Sequence, residues 1–306
     1  MTILEHTAMI DYARHTAYSD PGRFASLLDA VPTELDELSA TVRNVIEHYR
    51  ASDHALPADT VSDIHSRWIA RTLELDQQRH PASLAESREP TTRVQGCCRD
   101  HTLLSVAILR QHGIPARSRI GFADYFVDGW HHDHVVAEAW SGERWVRFDP
   151  EVQAPIATLP EPRNIPAGKG FHTAAEVWRS HRAGALDVET YGVDVSIPVA
   201  RGAWFVRNYV ILEVAHRFGD ELLLWDNWGT MNGPGSQDQD ADLIDDVSAL
   251  LVAADTGDTA AEQRLLDLYR ADERLHPGDV VLRMDLPEQT LVEESLTGRA
   301  GRGSER

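Results

Sequence analysis

The chain has 306 residues, 42% of them hydrophobic and 25% charged, with 29 Lys plus Arg against 49 Asp plus Glu and a formal charge of -20. That length can bury a large core, as one domain or a main domain with helical additions, and the composition excludes a fibrous or wholly disordered chain. The negative charge repels phosphate backbones and anionic lipid surfaces, so neither nucleic acid nor membrane is expected as a partner.

The opening MTILEHTAMIDYARH has neither a basic n-region nor an apolar h-region. No later apolar run approaches the ~20 residues that cross a bilayer, and a cytoplasmic location is expected. From Asp20 to about His80 the pattern predicts helices in PGRFASLLDAV, PTELDELSATVRNVIEHYRAS and PADTVSDIHSRWIARTLELDQQRH. In the second, Leu35, Leu38, Val42, Val45, Ile46 and Tyr49 recur at the spacing of one buried helical stripe. Residues 1–80 are thus expected to form an N-terminal helical layer.

PASLAESREPTTRVQG, residues 81–96, is polar, proline-bearing and aperiodic, and reads as a loop. CCRDHTLLSVAILRQHG follows as a helix, with Leu103, Leu104, Ala107 and Ile108 as its apolar stripe and Gly113-Ile114-Pro115 as its stop. ARSRIGFADYF, DHVVAEAW and RWVRFDP read as strands, the last two joined in a hairpin at Ser141-Gly142. HTAAEVWRSHRAG and ARGAWFVRNYVILEVAHRFG return to helical character, followed by the aromatic LLLWDNWGTMN. The expected core spans 81–230, an acidic helical extension with helices near 240–254 and 258–271 spans 231–286, and residues 287–306 read as a disordered tail.

Cys97 and Cys98 are the only cysteines. They could bond to each other only as a strained vicinal disulfide and are too few for a structural zinc, so a free thiol is expected. Cys98 lies at the predicted helix start, where unpaired N–H groups and the dipole favour a thiolate. A thiolate nucleophile also needs a base that a third group orients. With Ser141 and Gly142 as turn residues, Trp140 faces Glu143, Glu138 faces Trp145 and His134 faces Asp149, so an imidazole and a carboxylate are expected to touch.

Other readings stand beside this one. A buried cysteine is more often packing than catalyst, and Cys97 reads as a bystander. His131, His132, Asp133 and His134 could instead clamp zinc or iron with Cys98 or His101, as in a metal-dependent hydrolase. Arg99 and Asp100 read as solvated or first-turn residues, and Gln95 as a loop residue that could donate to an oxyanion.

The segments Gly96–Asp100, Leu109–Arg117, Gly121, Asp133–Trp140 and Trp145–Pro150, in this order and spacing, resemble the transglutaminase-like cysteine superfamily. The resemblance implies an α+β, papain-like core, a nucleophile helix packed on an antiparallel sheet, here with N- and C-terminal helical additions. It assigns Cys98 as nucleophile, His134 as base and Asp149 as orienting carboxylate, with Cys97 where the family commonly carries a small residue. Asp20-Pro21-Gly22 and Leu224-Trp225-Asp226-x-Trp228-Gly229 extend the likeness to a subgroup of bacterial transglutaminase-domain proteins. One departure is Val135, where those relatives tend to carry tryptophan, which bears on the pocket's shape and not on the triad.

The resulting expectation is a cysteine amidohydrolase or acyltransferase working through a thioacyl-enzyme on a small amide or peptide. Gln95, Trp204, Trp225, Asp226 and Trp228 are its candidate substrate contacts. No cofactor is expected, and no loop has the D-x-D-x-D-G spacing of a calcium site. A non-catalytic binding module on the same fold is the reading from another class. Oligomeric state is not fixed by the sequence.

Overall fold

The computed structural model describes residues 10–285 and 290–297. In chain order its elements are the helices α1 (Ala25–Asp29) and α2 (Leu35–Val45), the strand β1 (Ile46–His48), α3 (Ile69–Arg79), β2 (Val94–Gly96), α4 (Cys98–Gln111) and the strands β3 (Ala116–Val127), β4 (Trp130–Trp140), β5 (Trp145–Phe148) and β6 (Phe171–Thr173). There follow α5 (Ala174–Arg182), β7 (Tyr191–Gly192), α6 (Ala203–Arg217), β8 (Asp226–Asn227), α7 (Ala241–Asp255), α8 (Thr259–Ala271), β9 (Val280–Asp285) and β10 (Thr290–Ser295). This is an α+β arrangement in which α4 packs on a sheet, with helices added at both ends.

The main sheet runs β5-β4-β3-β6 with antiparallel neighbours, and β7 pairs parallel to β4. Strand periodicity divides β4 between two cores. Val135, Ala137 and Ala139 face the large core that holds α4, whereas Val136 packs into a smaller one with Tyr125, Val152, Leu159, Ile165 and Phe171. The large core also draws side chains from Tyr18 in the N-terminal layer to Val281 in β9. Helix α4 is buried from Cys98 through Arg110, all the way round and not only along the apolar stripe its sequence shows. On the sheet, β6 passes so close to β3 that a Cβ at Gly121 would lie 2.0 Å from the His172 carbonyl oxygen.

Several elements depart from expectation for local reasons. Helix α2 was expected to run past Tyr49 but ends at Val45; Ile46 turns extended, and Ile46–His48 pairs parallel with Val94–Gly96. A β-branched Val-Ile pair favours that switch, and the ladder formed draws the chain before the cysteines out of its expected loop. The third expected helix divides into a 3-10 segment over Ala58–His65 and α3, because Arg67 between them is carried inward to the Asp226 carboxylate. Thr290–Ser295, placed by sequence in the disordered tail, is instead the strand β10 on β9, with Glu294 reaching Arg283 at 3.4 Å. The remainder of that tail, 298–306, lies outside the described residues, as does 286–289. Among the described residues no helix is long and apolar enough to cross a membrane.

Candidate active site

Cys97 caps α4. It is extended (φ -131°, ψ -170°), its sulfur accepts from the backbone N–H of Asp100, and its own N–H donates to Asp100 Oδ2 at 2.9 Å. This is a capping box in which sulfur stands where a hydroxyl or carboxylate is usual. Gly96 leaves room for it: a Cβ there would come within 2.9 Å of both Asp100 Oδ2 and Ile46 Cγ2. Arg99 and Asp100, expected to be solvated or first-turn residues, are buried; Arg99 pairs with Asp100 at 2.8 Å and donates to the carbonyls of Ser66, Arg67 and Glu221. The cap and the arginine together fix the end of the helix where Cys98 begins it.

The second half of the site comes from β4 and the turn after β5. The His134 ring lies 2.7 Å, Nε2 to Oδ2, from Asp149. The same oxygen accepts from the Tyr125 hydroxyl at 2.6 Å, and Asp149 Oδ1 accepts from the Glu151 N–H at 2.8 Å. The hairpin register is two residues off the expected one: Trp140 pairs with Trp145 and Ala137 with Phe148, around the four-residue loop 141–144. Continued one step, it places Asp149 opposite Val136, so the His134 contact is diagonal. A slip of two keeps every side chain on its face, and diagonal neighbours remain in reach of long side chains.

Helix and sheet are locked one turn from Cys98, where the Thr102 hydroxyl donates to the Val135 carbonyl at 2.8 Å. Cys98 and His134 also share electrostatic neighbours, Glu151 and Asp133. The Cys98 thiol is hydrogen-bonded to Cys97; that contact and burial push its pKa well up, and the Glu151 and Asp133 carboxylates add to the rise. Burial pulls the His134 imidazole down, but the Asp149 carboxylate more than offsets this and leaves it above its ordinary value. Asp149, although burial disfavours its charge, is held at about 2 by His134 and by the Tyr125 and Glu151 donors.

The other predicted residues scatter. Both N–H groups of the Gln95 amide are taken, by the Pro57 carbonyl and the Thr60 hydroxyl at 2.8 Å each, leaving none for an oxyanion. Asp226 is a fully buried partner of Arg67, and Trp228 donates to the Leu275 carbonyl at 2.7 Å within the core, so neither lines a cleft. Trp225 is partly exposed and lies edge-on to Tyr49, whose N–H binds the Gly96 carbonyl beside the cysteines. Trp204 is partly exposed at the start of α6, against Phe205. The histidine run does not form a clamp: His131 stacks on Tyr191, His132 reaches the Val193 carbonyl and His134 turns to Asp149. Among the described residues no three His, Cys, Asp or Glu side chains converge as metal ligands.

Sequence reasoning missed four groups at the site. Tyr125 had no signal beyond an aromatic in a strand. Glu151 could have been found from its spacing two residues past Asp149. Asp133 was read only as a metal ligand, but it accepts from the Tyr209 hydroxyl. His48 was assigned to a helix; it instead ends β1 with its Nε2 3.9 Å from Glu151 Oε1.

Among solved structures, the chain is similar to one from Cytophaga hutchinsonii described as a candidate cysteine protease, at 19% identity and a TM-score of 0.31, covering 47% of this chain and 42% of that one. The chain thus matches less than half of that protein's length. No curated protein matches it. The family model of the transglutaminase-like superfamily matches residues 48–150, a span that begins at His48 and takes in Cys98, His134 and Asp149. Residues 48–150 are therefore a transglutaminase-like segment.

Proposed function

We propose that the protein is a cysteine-dependent acyl-transfer enzyme acting on a small amide or peptide, in a reducing compartment such as the cytoplasm. The observation that carries this reading is the buried 2.7 Å contact between His134 and Asp149, on a strand that the Thr102 hydroxyl ties to α4 one turn from Cys98. With Nε2 committed to Asp149, Nδ1 is the ring nitrogen left for proton transfer. The Cys98 thiol leaves Cys97, gives its proton to His134 and attacks the substrate carbonyl. The oxyanion is met by the Cys98 backbone N–H, which at the first helical position lacks an intrahelical acceptor. Collapse expels the amine, which takes the proton from His134, and leaves a thioester on Cys98. Water or a second amine then attacks with His134 as base, and the thiolate departs. Trp204 and Trp225 are the proposed cleft aromatics.

A binding module on the same fold is favoured by one observation, the raised pKa of Cys98. p-Nitrophenyl acetate separates the two. The enzyme reading expects a nitrophenolate burst equal to the protein concentration and an acetyl adduct on Cys98 by mass spectrometry. Both vanish in Cys98→Ala, and the burst falls steeply in His134→Ala. Equal turnover by the Cys98→Ala protein would falsify the enzyme reading.

A further inference from the structure

A cavity of about 430 Å³ opens between α2, β1 and the turn after Pro150, and its walls include Arg43, Glu47, His48, Arg93, His101 and Glu151. Its volume lies within the range of small-molecule sites. Two wall residues carry hydrogen-bonding atoms that the protein leaves unpaired: among the described residues, Arg93 Nε and Glu151 Oε2 are occluded from solvent and have no hydrogen-bond partner. Buried groups of this kind are normally satisfied, and leaving a charged one unpaired costs about 1–3 kcal/mol or more. Both atoms belong to wall residues, so a small turn of either side chain brings an unused donor or acceptor to a ligand in the cavity.

The charged wall residues differ in what they offer. Arg93 gives Nη1 to Glu47 at 2.8 Å and Nη2 to the Arg88 carbonyl, leaving Nε; Arg43 gives Nη1 to the Pro150 carbonyl at 2.7 Å. A carboxylate answers such guanidinium edges. Among the described residues Glu151 has no Arg or Lys ion pair: its partner is His48 at 3.9 Å, an imidazole that burial, His134 and Arg50 lower to about 4 and so keep neutral, and His101 is its other favourable neighbour. Burial raises the Glu151 carboxyl, which is the condition an ammonium group would relieve. Glu151 also acts on His134, Asp149 and Cys98, so one carboxylate is shared between the cavity and the surroundings of the thiol.

We propose that this cavity binds a small zwitterion, a free α-amino acid or a dipeptide, with its carboxylate on Arg43 and Arg93 and its ammonium on Glu151. A ligand there neutralises Glu151 and so removes one of the charges that oppose the Cys98 thiolate. The binding itself stands apart from the thiol chemistry proposed above.

The test is made on the full chain carrying Cys98→Ala, in which acyl transfer is silent. Alanine and Ala-Ala are titrated by calorimetry and ligand-observed NMR, beside alaninamide, Ala-Ala-amide, N-acetylalanine and N-acetyl-Ala-Ala. Expected is saturable binding of alanine or Ala-Ala, at least fivefold weaker when either end is blocked. In Glu151→Gln, an isosteric change, the preference for a free amine over its acetylated form disappears, while the preference for a free carboxylate remains. A bulky Ala51→Trp substitution at the cavity wall abolishes binding while leaving the charged residues themselves unchanged. Absence of saturable binding, equal binding of blocked and free forms, or an undiminished amine preference in Glu151→Gln overturns the proposal. None of these outcomes bears on whether Cys98 forms an acyl-enzyme.

Discussion

Replacing Asp149 with asparagine tests the arrangement at its most constrained atom. Oδ2 accepts from both His134 and Tyr125 while Oδ1 accepts from the Glu151 N–H, so three donors converge on one carboxylate. An amide offers one acceptor oxygen. If that oxygen sits at the δ1 position, the amide N–H₂ meets His134 and Tyr125; if at δ2, it meets the Glu151 N–H. Either way a donor is left unsatisfied, at about 1–3 kcal/mol. Linkage gives a similar figure: a carboxyl held at about 2 against an ordinary 3.8 contributes about 2 kcal/mol. The sign follows from a depressed pKa, so this contribution is complete above about pH 4 and lost as pH falls through 2. Asp149→Asn is thus expected to lose about 2 kcal/mol in urea unfolding at pH 7, with the gap to wild type closing toward pH 2. The δ1 orientation also forces His134 to carry its proton on Nδ1, the wrong nitrogen for a base. In a serine protease triad the same carboxylate-to-amide change lowers kcat by about 10⁴, and a loss of that order in the nitrophenolate burst rate is expected here. ¹⁵N NMR of the His134 ring reads the tautomer directly. A variant with wild-type burst rate and unchanged tautomer would refute the assignment of Asp149 as the orienting group.

Three further outcomes follow from the same geometry. Gly96→Ala drives a methyl into Asp100 Oδ2 and Ile46 at 2.9 Å, so it is expected to destabilise by about 1–3 kcal/mol and to slow Cys98 acylation; a wild-type urea midpoint and rate would show the cap tolerates it. Cys97→Ala removes the capping sulfur, costing about 1 kcal/mol, yet also removes the contact that raises Cys98, so iodoacetamide is expected to label Cys98 faster; slower labelling contradicts that account. Glu213, buried on α6 beside Arg119, is raised by burial to about 7 from 4.5, so the folded state keeps a proton the unfolded chain has lost. Stability should therefore fall by roughly 3 kcal/mol between pH 4.5 and 7, and Glu213→Gln should flatten that decline; parallel pH profiles for the two proteins count against it.

Helix α4 and the β3–β4–β5 meander were legible because their periods are strong and their stops are glycine and proline. The His134–Asp149 contact was legible even though the turn was centred one residue too early, because moving the centre by one shifts the register by two and a strand repeats every two. What escaped was set at long range. Ile46 leaves its helix for a strand whose partner lies 48 residues on, and Arg67 breaks another helix to meet a carboxylate 159 residues away. Asp226, Trp228 and Gln95 carry residue types suited to a cleft; only the positions of their partners show that they brace the core instead. Glu151 and Tyr125 acquire meaning only through what lies across the sheet from them.

Arg99, the residue after Cys98, has consequences for where this protein can be cut. Its guanidinium is buried on the carbonyls of Ser66, Arg67 and Glu221, and Arg67 in turn depends on Asp226. The recognisable family stretch stops at residue 150, leaving Glu221 and Asp226 outside it. Expressed alone, that stretch would leave two buried guanidinium groups without these partners, so the recognisable sequence signature is shorter than the smallest piece able to hold α4 in place. Truncation from the C-terminal side should therefore fail abruptly once residue 226 is lost.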